Sequence, residues 1–256
     1  PYDCGRGFNG VDCGYNSFWI DPGTHVLRIN GQPRASLLVE PKNGRLPPLT
    51  PEAQARVQAR LGNARVGNFD GPERRSLGER CILSFGTSAG PPMLPLLYNN
   101  NYQIVQTRDE VLIEVEMVHD IRHIRLGAAP LPPGVKQWMG DSVGRWEGDT
   151  LVIETRNLRP EQSFRGASPD AVFVERLTRI APGQILYQVE LNDPKAFTAP
   201  IKAEVAFNAT KGPVYEYACH EGNYALPGIL AGARAEEKKG RELEGNRGEI
   251  KEEGAN

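Results

Sequence analysis

Between residues 81 and 219 the apolar side chains recur in short runs, often at every second position, and the runs are separated by turn-forming residues. A period of two marks strands with one buried face. It predicts strands over 81–85, 102–107, 111–117, 121–126, 143–147, 150–156, 171–180, 184–191, 201–207 and 214–219. In the run 184–191, Ile185, Tyr187, Val189 and Leu191 share one face. Turns at Arg108-Asp109-Glu110, Glu147-Gly148-Asp149 and Pro182-Gly183 are short enough to join neighbours antiparallel. The expected fold is mainly β: an antiparallel meander closed into a lipocalin-like barrel, because closure removes exposed edges.

Outside this block the pattern is sparser. Short strands are expected at 18–20, 26–29 and 36–40, with Asn30-Gly31 as a turn. The proline-rich run 41–48 reads as an extended loop. Thr50-Pro51-Glu52 carries a capping hydroxyl, a proline suited to the first helical position and an acid at the positive end of the dipole. It opens one short helix near 51–61, stopping before Gly62-Asn63. A second helix around 226–235 docks through Ile229-Leu230-Ala231. Beyond it no apolar stripe remains, so residues 1–235 form a single barrel-like domain and 236–256 a charged, solvent-exposed tail, a solvated or frayed helix.

Composition narrows the function classes. Glycine (28) and proline (21) sit between the apolar runs and fit a turn-rich β protein of 256 residues. Thirty Lys+Arg against 32 Asp+Glu leaves a net charge of −2, with no general field for nucleic acid or an anionic membrane. No apolar run nears the ~20 residues of a membrane span. The four cysteines, Cys4, Cys13, Cys81 and Cys219, allow three pairings. The pairing expected is Cys4–Cys13 around a glycine-rich segment and Cys81–Cys219 across a long loop, the second contributing roughly 3–5 kcal/mol. A four-cysteine zinc site is the alternative, and no C-x₂-C spacing supports it. Disulfides imply an oxidising compartment, periplasmic or extracellular. A start at Pro1 fits a processed chain or a trimmed one.

Four polar segments interrupt the apolar pattern: 98–103 (YNNNYQ), 114–123 (EVEMVHDIRH), 136–150 (KQWMGDSVGRWEGDT) and 215–224 (YEYACHEGNY). Imidazole is the natural acid or base near neutral pH and a common metal ligand. The candidate catalytic residues are therefore His119, Asp120, His220 and Glu221, the last two held beside a bridged Cys219. Tyr98, Asn99, Arg122, Trp138, Asp141 and Tyr224 are candidates for substrate binding, with amides, phenols and an indole suited to a sugar. No cofactor is expected. A divalent metal would fall to His119, His220 and Glu221, although neither histidine has the spacing of a known zinc motif. Three of the segments also have a plain structural reading: Asx turns at the asparagines, a hairpin at 147–150, and a histidine bonded to backbone at 119. There is no G-x-S-x-G, phosphate-binding loop or dinucleotide fingerprint.

Four stretches, YNNNYQIVQT (98–107), EMVHDIRHI (116–124), QWMGDSVGRWEGDTLVIET (137–155) and YACHEGNYALPGILAGAR (217–234), resemble a family of exported bacterial β-rich proteins over most of residues 19–234. The resemblance implies export and a strand-rich fold. It implies no activity, so no residue role is carried over. Three readings follow. The first is an exported enzyme acting on a small polar, carbohydrate-like substrate by His/carboxylate acid–base chemistry, lyase- or hydrolase-like. The second is a lipocalin-like binding protein for a small-molecule ligand, without chemistry. The third is a structural or assembly protein of the cell surface. They part on whether His119, Asp120, His220 and Glu221 line one cavity.

Overall fold

The computed structural model describes residues 26–65, 69–84, 90–96 and 98–238. Cys4, Cys13 and the strand expected at 18–20 lie outside them. A small hairpin, β1 (Arg28–Ile29) and β2 (Gln32–Pro33), turns through Asn30 and Gly31, both at positive φ. β3 (Leu38–Glu40) follows, then α1 (Pro51–Arg65). The Ala53 amide donates to Thr50 Oγ1 at 3.2 Å, which is the expected cap. The helix runs on through Gly62-Asn63, residues that cost helix stability without forbidding it.

Eight further strands, β4 (Tyr102–Gln106), β5 (Glu110–Val115), β6 (Ile121–Leu126), β7 (Asp141–Glu147), β8 (Thr150–Arg156), β9 (Phe173–Ala181), β10 (Gln184–Leu191) and β11 (Ile201–Asn208), join β3 in one sheet. Its order is β3-β11-β10-β9-β8-β7-β6-β5-β4. The short turns at 148–149 and 182–183 connect antiparallel neighbours as expected. The meander has one break: β6 and β7 pair parallel. A parallel pair needs a crossover rather than a hairpin, and residues 127–140 supply it. The crossover ends at Gly140, at φ +74; a Cβ there would lie 2.7 Å from the Arg156 carbonyl oxygen.

The barrel expected from the pattern is not closed. β3 and β4 stand at the two ends of the ladder, and β3 pairs with β11 at only Leu38 and Glu40. The sheet curls nonetheless. Tyr102 on end strand β4 stacks on Phe207 of β11 at 5.4 Å, and Phe207 stacks on Tyr187 of β10 at 5.2 Å. The alternating apolar residues line the inside of this curl, including Val111, Ile113, Ile124, Ile153, Phe173, Tyr187, Val189 and Leu191.

Two expected strands do not form among the described residues. Residues 81–84 follow a series of tight turns, and Cys81 itself sits at φ 53, outside the strand region. Along 214–219 the amides of Tyr215 and Tyr217 donate to side chains rather than to a neighbouring strand. α2 (Ala225–Lys238) is capped by Asn223 Oδ1, buries Ala233, and docks through Arg234 Nη2 on the Phe69 carbonyl at 2.6 Å. It continues past 235 to Lys238. Among the described residues, no helix is long and apolar enough to cross a membrane.

Candidate functional site

The polar segment at 114–120 is where β5 turns into β6. Val118 (φ 67) and His119 (φ 52) are both left-handed, a costly conformation for a β-branched residue. This turn grips three other parts of the chain. Asp120 Oδ2 accepts from the Ser84 amide at 3.0 Å. Asn99 donates to Ser84 Oγ at 2.6 Å and accepts from the Met117 amide at 2.6 Å. Glu116, buried, accepts from Asn101 Nδ2 at 2.9 Å and from the Tyr215 amide at 3.1 Å. His119 Nε2 accepts from the Tyr217 amide at 3.0 Å.

A disulfide, Cys81–Cys219, with Cα atoms 5.7 Å apart, fastens two of the same segments. Asn223 adds a bond from Nδ2 to the Glu79 carbonyl at 2.7 Å. Bridge and hydrogen bonds together form a clasp that ties 79–84, 99–101 and 215–223 to the β5–β6 turn. The expected Cys81–Cys219 pairing is present. Its work is to hold this clasp.

The clasp uses the groups that chemistry would need. An imidazole that accepts at Nε2 must be neutral with its proton on Nδ1. That Nδ1 is buried and makes no hydrogen bond; Glu114 Oε1 lies 3.9 Å away. His220 and Glu221 are exposed, and Tyr224 is 83% exposed. Among the described residues, no group of three His, Cys, Asp or Glu side chains could hold a metal ion, so His119, His220 and Glu221 do not assemble as a ligand set.

Burial pushes the Asp120 carboxyl up to about 6, against the opposing pull of the Ser84 amide. The sign follows from linkage. An acid that holds its proton more tightly when folded contributes stability below its unfolded pKa of roughly 4 and loses it as pH rises through about 6. The difference amounts to about 2–3 kcal/mol. Asp120→Asn keeps an oxygen for the Ser84 amide and removes the titration. Urea unfolding across pH 4–8 should show the variant gaining on the wild type between pH 4 and 6 and holding that gain above. A pH-independent difference would contradict the assignment.

The remaining candidates are also engaged. Arg122 is not at a binding surface. It lies inside the curled sheet, 2% exposed, in a two-pronged ion pair with Glu175: Nη1 meets Oε1 at 2.9 Å and Nη2 meets Oε2. Arg122 also donates to Ser142 Oγ at 3.0 Å and Thr155 Oγ1 at 2.6 Å. Tyr187 completes the network, donating to Glu175 Oε1 at 2.8 Å and accepting from the Met93 amide at 3.0 Å. Asp141, buried, pins the crossover by accepting from the Leu131 amide and Arg125, each at 2.7 Å. Trp138 has the Arg159 guanidinium over its ring at 4.2 Å, a cation–π contact that occupies the face a sugar would use. Tyr98 is half-buried.

Two clefts lie elsewhere, and none of the candidate residues lines either. One, of ≈ 1210 Å³, opens between β4 and the far end of β11, with Asn100 and Asn101 on its rim. The other, of ≈ 840 Å³, lies between α1 and residues 158–171. Its walls are mostly apolar: Leu49, Val57, Leu61, Leu158, Phe164 and Phe173. Gly166 (φ +95) brings the loop against the helix; a Cβ there would meet Val57 Cγ2 at 2.9 Å. No family model, curated protein or solved structure matches this chain.

The sequence reading missed this cleft and the Arg122 network. The network did leave a signal. Arg122 shares a face with Ile124, and Glu175 falls between Phe173 and Leu177, so each is a charge on an otherwise apolar face. The cleft left none, because helix and loop meet only in three dimensions.

Proposed function

We propose that this chain is an exported small-molecule binding protein, lipocalin-like in using a curled sheet as a scaffold, whose ligand occupies the cleft under α1. The observation that carries the reading is the cleft itself: a space of ≈ 840 Å³ with mainly apolar walls and both His119 and His220 outside it. That volume falls within the range of small-molecule sites. Export is supported by the Cys81–Cys219 bridge, since such bonds persist in oxidising compartments.

The test is binding of N-phenyl-1-naphthylamine, a neutral fluorescent probe. It should bind saturably at one site. Ala59 lines the cleft from an exposed position on α1, so Ala59→Trp should fill the space without disturbing the core and abolish binding at unchanged Tm. Binding unaffected by Ala59→Trp, or no binding to the wild type, would overturn the reading.

A second reading keeps acid–base chemistry of a hydrolase or lyase, on a small polar, carbohydrate-like substrate, at His119, Asp120, His220 and Glu221. One observation favours it: a carboxyl held near 6 beside an imidazole on a strained turn. The Asp120→Asn protein tests it. Hydrolysis of nitrophenyl glycosides that is absent, or equal in variant and wild type, removes it.

A further inference from the structure

The cleft under α1 has a distinctive charge pattern. Its lining includes Arg56, Arg60, Arg159 and Arg165 against a single acid, Glu161. Glu161 does not balance them. Arg159 Nη2 lies 3.5 Å from its Oε1, and Arg60 Nη2 donates to its backbone carbonyl at 2.7 Å. Arg56 is spent on Glu52 at 2.9 Å and on the carbonyls of Gly166 and Lys195.

Two donors remain. Arg165 is exposed, left-handed at φ 51, and has no hydrogen-bond or ion-pair partner among the described residues. The Arg159 side chain is 42% exposed, with its guanidinium over Trp138 at 4.2 Å and only the loose 3.5 Å contact to Glu161. It lines the same apolar cleft as Arg165.

Apolar walls with guanidinium groups at the same cleft match a molecule with a hydrocarbon body and one anionic head. Guanidinium forks pair with carboxylates in two-pronged geometry. Resting on the binding reading above, we infer that the ligand is a long-chain carboxylate, with its chain against Leu49, Val57 and Phe173 and its head group held by Arg159 and Arg165. Neutral amphiphiles of the same length offer at most an uncharged acceptor and bind more weakly, because they give the two guanidinium groups no charge-assisted, two-pronged pairing.

The experiment is displacement of N-phenyl-1-naphthylamine from the full, disulfide-intact chain by oleate and by oleyl alcohol, each below its micelle concentration. Oleate should displace the probe at least about tenfold more tightly than the alcohol, the effect of one charged hydrogen bond. Arg159→Gln with Arg165→Gln should remove that advantage, bringing oleate to the level of the alcohol in displacing the probe from the same variant. Equal displacement by oleate and alcohol, or an oleate preference that survives the double substitution, overturns the carboxylate assignment while the binding reading stands. Failure of the probe to bind overturns the binding reading itself. Arg165→Gln alone, at an exposed position, guards against a folding defect in the double variant; it should weaken oleate and not the alcohol.

Discussion

Glu175→Gln is expected to lower the unfolding free energy by about 3–5 kcal/mol. The change is nearly isosteric, and its cost comes from what it leaves behind. Arg122 would remain 2% exposed, surrounded by Ser142, Thr155 and the inner face of the sheet, with its counter-charge gone. Water cannot replace the carboxylate there. Removing both charges should be much milder. In Arg122→Met with Glu175→Leu, Ser142 Oγ and Thr155 Oγ1 still bond each other at 2.8 Å, and the phenol of Tyr187 still accepts from the Met93 amide. Urea unfolding of Arg122→Met, Glu175→Leu and the double should therefore give a large coupling energy. Single substitutions costing less than about 1 kcal/mol, or a double as costly as the sum, would show that the pair is not buried in this way.

Breaking the Cys81–Cys219 bridge should be comparably severe. The bond closes a loop with a sequence separation of 138 residues. Chain-entropy reasoning assigns about 5 kcal/mol to a loop of that length. For a chain of this size, the loss corresponds to a Tm lower by roughly 10–20 °C. Cys81→Ser with Cys219→Ser should also loosen the clasp, since the Tyr215 and Tyr217 amides and Asn223 are held to their partners through the tethered segment. Hydrogen exchange at Tyr215 and Tyr217 should rise more than exchange in β8–β10. Binding of the neutral probe under α1 should persist at temperatures where the variant stays folded, because no residue of the clasp lines that cleft. Uniform loss of protection across the sheet would mean that the bridge supports the whole fold rather than the clasp.

Much of the fold could be read from alternation. The strands β4 to β11 were legible because a strand with one buried face must repeat apolar residues at a period of two. The hairpin at Glu147–Thr150 and the cap at Thr50 were legible because few residue types satisfy those backbone positions. The Cys81–Cys219 bridge followed from a choice among three pairings. The two missing strands have different causes. Residues 81–84 turn, following local bonds from the Arg80, Cys81 and Ile82 amides to the carbonyls of Ser76, Gly78 and Leu77. Along 214–219 the amides of Tyr215 and Tyr217 found side-chain acceptors 98 or more positions away, and a local pattern cannot register a competitor so distant in the chain.

The same limit governs the functional residues. His119, Asp120, Asn99 and Glu116 were conspicuous as polar residues crowded among apolar ones, and that much belongs to the sequence. Whether such a crowd performs chemistry or holds segments together depends on what its lone pairs and protons meet, and here they meet the backbone of residues 84, 117, 215 and 217. By itself the sequence determined a strand-rich chain, its turns, its first helix cap and a set of inward-facing residues, because these follow from neighbours two to four positions apart. Tertiary structure alone decided that the sheet curls without closing, that β6 and β7 run parallel, that Arg122 meets Glu175, and that α1 and residues 158–171 enclose an apolar cleft with arginines in its lining. Each of these depends on groups far apart in sequence, whose meeting is set by packing rather than by period.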